Sequence, residues 1–452
     1  MLTKKLTLSE SPVKELSILA LTWPIFFELL LLMLMGNMDV FMLSQYSDDS
    51  VAAVGVANQF LQFSIVTFGF VSAGASVIIS QYIGAKKHKE ARIVSGAALI
   101  CTLALGMLIS GLFFFFHEGL LSSMEMAPRV RSEAEMFLRL VGAFVFIQGG
   151  LASVSAILRS YGYTKDTLRV TIVMNILNVV GNGIVIFGWM GFPVLGVYGV
   201  AWVSVLSKLI AMILALTILF KRSGNIFSGL STKKFPFKYV KQILRIGLPA
   251  AGENVSYAGY QLFLTMLVTT MGTHALATRV YVRNINMFVF LFTIALTQGS
   301  QIIIGQLMGA KRFEEIYHRC FRYLKIATLV SMVGAVICYL LAVPILSLFT
   351  DNPEIIRVGQ TVFLIFIFSE IGRAFNLIII SSLRAAGDVR FPVVVGLFSM
   401  WGVGALSGYV LGIVLGLGLP GIVMGTALDE LLRGGIMFFR WRSRKWQTKG
   451  IV

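Results

Sequence analysis

Apolar runs about twenty residues long recur along the whole chain, and a helix of that length crosses a hydrocarbon core roughly 30 Å thick. Twelve such runs can be read, at 16–43, 53–80, 95–116, 132–157, 170–190, 195–219, 243–270, 279–306, 325–348, 358–382, 392–415 and 420–439. Backbone polar groups find no water inside a bilayer, so runs of this kind must satisfy them internally. They therefore form helices, and the expected fold class is an all-α membrane protein of twelve transmembrane helices. With 57% hydrophobic and 13% charged residues, the chain has too little polar surface for a soluble domain. The first fifteen residues are polar (Lys4, Lys5, Glu10, Lys14), and the apolar stretch after them is too long for a signal-peptide core, so no cleavable signal is expected.

The net charge of +17 invites a nucleic-acid reading, but its distribution answers it. Basic residues crowd alternate connections: Lys86, Lys87, Lys89 and Arg92; Arg159, Lys165 and Arg169; Lys221 through Arg245; Lys311 through Lys325; Arg384 and Arg390; and Arg440 through Lys449. The intervening connections hold little beyond Arg129, Arg131 and Arg357. That alternation is the positive-inside pattern. It predicts both termini in the cytoplasm of a multi-pass cell-membrane protein, with the bilayer as partner and no nucleic acid. Cys101, Cys320 and Cys338 lack metal-ligand spacing, so neither a metal site nor a disulfide is expected.

Displaced by 225 residues, the sequence matches itself without gaps. Pro24 falls on Pro249 and Glu28 on Glu253. Leu158, Arg159 and Gly162 fall on Leu383, Arg384 and Gly387. Between 74 and 86, seven of thirteen positions are identical to 299–311. A register held this long marks a duplication. Each half has six spans, and an even number returns the chain to its starting side. The halves then share one orientation and a pseudo-two-fold axis along the membrane normal. The expected division is an N-terminal six-helix lobe (1–220), a cytoplasmic linker (221–242), and a C-terminal six-helix lobe with a basic tail (243–452).

The loops SQYIGAKKHKE (80–90) and GQLMGAKRFEE (305–315) resemble those after the second span of each half in the multidrug and toxic compound extrusion (MATE) family. SLRAAGDVRFP (382–392) resembles that family's signature between spans ten and eleven, with ILRSYGYTKD (157–166) as its first-half counterpart. The Leu–Pro pairs at 248–249 and 419–420 fit as well, and the resemblance covers nearly the whole chain. It implies two pseudo-symmetric six-helix bundles set as a V. It also implies alternating-access antiport of small organic, often cationic, compounds or amphiphiles against protons or sodium.

No nucleotide-binding GxxxxGK[ST] loop is present, so an ion gradient is the expected energy source, with a proton rather than sodium and no cofactor. Ionisable groups within spans are costly and are functional candidates by default. Asp39 lies late in span one beside Met35, Met38 and Met42. In span five, Asn175, Asn178 and Asn182 share a helix face. The resemblance places a coupling acid at Asp39, with polar partners at Asn178 and Asn182, although some members carry Asp at the latter position. Glu253, one turn into span seven, shares a face with Ser256, Tyr257, Tyr260 and Gln261, a setting suited to an organic cation. The resemblance gives Glu253 a cation-coupling role, while its repeat mate Glu28 equally suggests a structural cap after the proline. Glu370 and Arg373, at i and i+3 in span ten, read as an ion pair near the substrate path. Arg283 could instead pair with Glu370 or Glu253. Met35 and Met38 are candidates for substrate contact.

Two other functions compete. A flippase of lipids or lipid-linked saccharides, from the same wider superfamily, would have a more basic cavity or additional spans. A membrane-embedded enzyme would need His or acidic clusters at one face, and none stands out. A monomeric, non-enzymatic transporter is the expectation.

Overall fold

The computed structural model describes residues 17–122, 124–228 and 236–452. Lys4, Lys5 and Lys14, and part of the 221–242 linker, lie outside the described residues. The described chain is helical, without strands: α1 (Ile18–Ser44), α2 (Asp48–Gly84), α3 (His88–Leu121), α4 (Pro128–Ala143), α5 (Val145–Ser160), α6 (Thr164–Phe187) and α7 (Gly196–Ser223) form the first half. The second half holds α8 (Phe237–Thr269), α9 (Thr273–Gly309), α10 (Phe313–Leu340), the short α11 (Ala342–Leu346), α12 (Pro353–Ala385), α13 (Arg390–Val414) and α14 (Gly418–Arg442).

Each of the twelve apolar runs falls on one helix, except the fourth, which covers the α4–α5 pair bent by 47° at Phe144, and the ninth, which covers the end of α10 and the short α11. The ninth run departs furthest from its helix. Its helix begins at Phe313 rather than 325, because Glu314, Glu315, Arg319 and Arg322 hide the first turns from a hydropathy reading. Among the described residues nine helices are long and apolar enough to cross a membrane, ten when the bent pair counts as one span. The two that fall short, α8 and α14, carry Glu253, Asn254 and Gln261, and Asp429, Glu430 and Arg433. Those are cavity-facing or buried polar groups rather than surface charges.

The 225-residue register governs the contacts between halves. Gln81 Nε2 donates to the Ala385 carbonyl at 2.7 Å, and Gln306 Nε2 donates to the Ser160 carbonyl at 3.1 Å; both donor and acceptor are displaced by the repeat. A Cβ on Gly84 would lie 1.7 Å from the Gln306 carbonyl oxygen, and one on Gly309 would lie 1.8 Å from that of Gln81. Only glycine lets α2 and α9 approach this closely. The loops behind them also match. Lys86 and Lys311 close their helices with φ of 58° and 56°, while Gly162 and Gly387 do so with φ of 88° and 94°.

The first turns of α1 and α8 are exchanged between halves. Ile18, Leu21 and Ile25 belong to an apolar core otherwise built from the second half. Ile243 and Ile246, the repeat mates of Ile18 and Leu21, belong to a core built mainly from the first half. Beyond Pro24 the same α1 packs along α6, and Met42 and Leu43 join the first-half core. The contacts that tie the halves together thus gather toward the face carrying the basic loops. Deeper toward the opposite face, each half packs on itself.

An acid–amide site and an arginine-lined cavity

Two ion-pair sites sit at the basic face in repeat positions. Arg159 Nη1 meets Glu28 Oε1 at 2.7 Å, and Thr167 Oγ1 donates to Glu28 Oε2 at 2.7 Å. Arg384 Nη2 meets Glu253 Oε2 at 2.5 Å. The arginine of each Leu-Arg loop thus returns to the glutamate one turn after each helix proline. Glu28 and Glu253, which the sequence leaves between structure and coupling, thus make the same ion pair in both halves. Neither caps the proline kink; each fixes the end of its half's fourth span against its first.

In the first half, α1 and α6 bring Asp39 and two of the three span-five asparagines together. Asn182 Nδ2 donates to Asp39 Oδ1 at 2.6 Å and to Asn178 Oδ1 at 3.3 Å. Both asparagines are buried, and the Asn182 Oδ1 has no hydrogen-bond partner among the described residues. Asn175 does not join them; it turns back to the Thr171 carbonyl of its own helix. Met35 packs at the edge of an apolar core and Met38 is exposed, neither lining the cavity of the second half. Lys208 of α7 completes the site. It donates to Gln148 Oε1 at 2.9 Å and lies within electrostatic reach of Asp39 without a direct ion pair. The sequence reading passed over Lys208. A single lysine in the middle of an apolar span was the signal that would have found it.

The second half encloses a cavity of about 520 Å³ between α8, α9, α12, α13 and α14. Glu253, Tyr257, Gln261 and Arg373 line it as expected, and Arg283 lines it as well. Tyr260 does not. It is 1% exposed, packed against Trp401 and placed with its hydroxyl 3.4 Å from Thr426 Oγ1. The reason is geometric: residues i and i+3 lie about 60° apart around a helix, so a broad polar stripe can face a cavity at one edge and a neighbouring helix at the other. Glu370 is fully buried behind the wall, where it pairs with Arg373 and accepts from Asn286 Nδ2 at 3.0 Å. The i, i+3 pair is therefore present, but only its arginine reaches the cavity.

A second buried cluster escaped the sequence reading. Arg433 Nη2 bridges Asp429 at 3.0 Å and Glu430 at 3.2 Å on one turn of α14. Asn376 Nδ2 donates to Glu430 Oε2 at 2.6 Å, and Ser399 Oγ to Asp429 Oδ1 at 2.5 Å. The sequence DELLR inside span twelve carried this information. Arg433 is also the repeat mate of Lys208, and Arg373 that of Gln148, so each half places a cation at the same point of its last span.

The MatE family model matches the chain twice, over residues 24–184 and 249–410, one match per half and with starts 225 residues apart. YisQ of Bacillus subtilis, an uncharacterized transporter, is 45% identical over 99% of both chains. A probable multidrug resistance protein NorM of Thermotoga maritima is 26% identical, covering 97% of this chain and 94% of its own. The crystal structure of the Vibrio cholerae MATE transporter VcmN in the bent form superposes with a TM-score of 0.87 at 18% identity, over 96% of this chain and 98% of that one. With its helices, its duplicated loops and both family matches in place, this chain belongs to the MATE family of transporters.

Proposed function

We propose that the protein is a secondary antiporter that exports small organic molecules across the cell membrane in exchange for protons, by alternating access. The observation that carries this reading is the Asp39–Asn182–Lys208 constellation, in which half-buried Asp39 and Lys208 flank the buried Asn182 in one half, apart from the large cavity in the other. A carboxylate inside a membrane protein is tolerable when a nearby cation and amide donors balance it. Protonation of Asp39 removes that balance and leaves the Lys208 charge uncompensated, which biases the packing of α1 against α6 and α7. The amide of Asn182 suits both states. As placed, it donates to the carboxylate; turned over, its unpartnered oxygen would accept from a protonated acid. A proton needs only this one acceptor, and among the described residues Asp39, Asn178 and Asn182 supply few oxygens for sodium.

The basic face is read as cytoplasmic. The Gln81 and Gln306 contacts close that face, so the halves diverge toward the outside. Export then proceeds by parting these contacts while the opposite ends come together. Transport in proteoliposomes, driven by a proton gradient and then by a sodium gradient alone, tests the reading. Asp39→Asn, permanently neutral, should lose gradient-driven transport while retaining substrate binding, and Asp39→Glu should keep part of it. Full gradient-driven transport by Asp39→Asn would remove Asp39 from the coupling path.

A further inference from the structure

We infer that the second-half cavity binds amphipathic organic anions: molecules with an apolar body and one carboxylate, sulfonate or phosphate group. The inference deepens the export reading by naming a class of cargo, and it rests on that reading only for the direction of movement. The cavity wall carries five arginines, Arg279, Arg283, Arg373, Arg384 and Arg433, against two glutamates, Glu253 and Glu430. Two further carboxylates, Glu370 and Asp429, lie just behind it.

The pairing leaves a clear remainder. Arg384 takes Glu253, Arg373 takes Glu370, and Arg433 takes Asp429 and Glu430. All four carboxylates are then engaged. Among the described residues, Arg283 has no hydrogen-bond or ion-pair partner, and Arg279 has only the Gln261 amide oxygen, at 3.0 Å. These two arginines are four apart on α9, on one face and within reach of each other's charge. Six and ten residues in from Thr273, they sit about 9 and 15 Å down the helix axis. Arg283 is exposed to the cavity and Arg279 is half-buried, so two like charges with no carboxylate of their own stand open to whatever enters, and their summed field favours an anion.

Chemistry around them defines what that something is. Guanidinium forks match the planar oxygens of carboxylate, sulfonate and phosphate groups. Beside them, Tyr257, Phe290, Phe366, Met287 and Met400 give an apolar and adaptable wall. The alternative, a cation held by Glu253 and two tyrosines, is only partly assembled, with Glu253 and Tyr257 on the wall. Glu253 is engaged by Arg384, and Tyr260 lies outside the cavity. The same anionic chemistry could arrive from solution or as a lipid headgroup from the bilayer.

The test uses two probes with one ring and opposite charge, naphthalene-2-sulfonate and trimethyl-(2-naphthyl)ammonium. Their equilibrium binding is measured on the full-length protein in phosphatidylcholine nanodiscs. The sulfonate should bind saturably and the ammonium should not. Arg283→Gln should weaken sulfonate binding about tenfold or more, as expected when a charge-assisted hydrogen bond is lost. Arg283→Glu should abolish it. Because Arg283 has no partner to orphan, Arg283→Gln should fold, and an unchanged thermal midpoint checks this. Adding phosphatidylglycerol distinguishes the sources. Arg283-dependent displacement of the sulfonate assigns the anion to the bilayer, and its absence assigns it to solution; both keep the anionic chemistry. Saturable binding of the ammonium alone, or sulfonate binding indifferent to both Arg283 variants, would overturn the inference. Binding requires no gradient, so Asp39→Asn should still hold the sulfonate. A failure of proton coupling would then show separately from a failure of the anion site.

Discussion

Glu28 and Glu253 offer the sharpest perturbation, because the repeat makes the same prediction twice. Each glutamate meets the arginine of its own half's loop, at 2.7 and 2.5 Å. Removing one member of a fully buried pair costs roughly 3–5 kcal/mol, mostly from the charge left behind. Here the arginine side chains are 20% and 25% exposed and the glutamates 3% and 12%, so solvent screens part of that charge. Glu253→Gln is then expected to cost about 2 kcal/mol and Glu28→Gln about 3 kcal/mol, since Glu28 also loses a charge-assisted bond from Thr167. Thermal unfolding in nanodiscs of the single variants Glu253→Gln and Arg384→Gln, and of the double variant, closes a double-mutant cycle; Glu28 and Arg159 give its mirror. Coupling should exceed about 1.5 kcal/mol in both halves, in line with close charge pairs elsewhere. Coupling under about 0.5 kcal/mol in both cycles would refute the reasoning, and coupling in one half alone would show that the repeat no longer imposes a common energetic design.

The remaining predictions concern the closed basic face and the acid site. Gly84→Ala and Gly309→Ala each place a Cβ within 2 Å of a facing backbone oxygen, so each should force the halves apart there, read as increased labelling of a cysteine placed at Lys311. Gly36→Ala, which meets nothing within 4 Å, should leave the labelling unchanged and serves as control. The joint variant Gln81→Ala, Gln306→Ala should open the same face without a steric clash, with each single variant giving about half the effect on the labelling free energy. Removing Ile451 and Val452 deletes the bond from the Ile451 amide to Gln81 Oε1 (2.9 Å) and should act in the same direction but more weakly. Lys208→Gln should retain substrate binding yet lower proton-driven transport at least about tenfold, because the charge that answers Asp39 is gone; transport within twofold of wild type would remove Lys208 from the coupling site.

What the sequence disclosed and what it hid follow from different physics. Span number, the repeat and the basic alternation are written in composition over twenty-residue windows, where burial in lipid constrains nearly every position. The Asn178–Asn182 face is legible from helical spacing and Asp39 as a lone acid in an apolar span, while their meeting is legible only through the family resemblance. Tyr260 was misplaced because spacing defines a face but not its neighbour, and α13 and α14 supply that neighbour only in three dimensions. The exchange of Ile18 with Ile243 between cores lay beyond any local pattern, since it depends on how the halves dock. Lys208 and the Asp429–Glu430–Arg433 turn are legible only as charges within apolar spans, since no loop motif marks them.

The duplication explains why the gate is symmetric and the sites are not. Gln81 with Gln306, Gly84 with Gly309 and Glu28–Arg159 with Glu253–Arg384 all persist at the 225-residue displacement, and all lie where the halves or their spans meet at the basic face. Two bodies that rock about a shared axis load both sides of that contact alike, so a change on one side alone would leave its partner unmatched. Away from the axis no such constraint acts. Asp39 is answered by Leu264, Asn178 by Val403 and Asn182 by Ser407, so the acid site exists in the first half alone. Arg279 and Arg283 are answered by Val54 and Asn58, so the unpaired arginines exist in the second half alone. Under the proposed antiport, the first half would carry the proton and the second the cargo, and the shared contact at the basic face would couple them, because neither half could move there without the other.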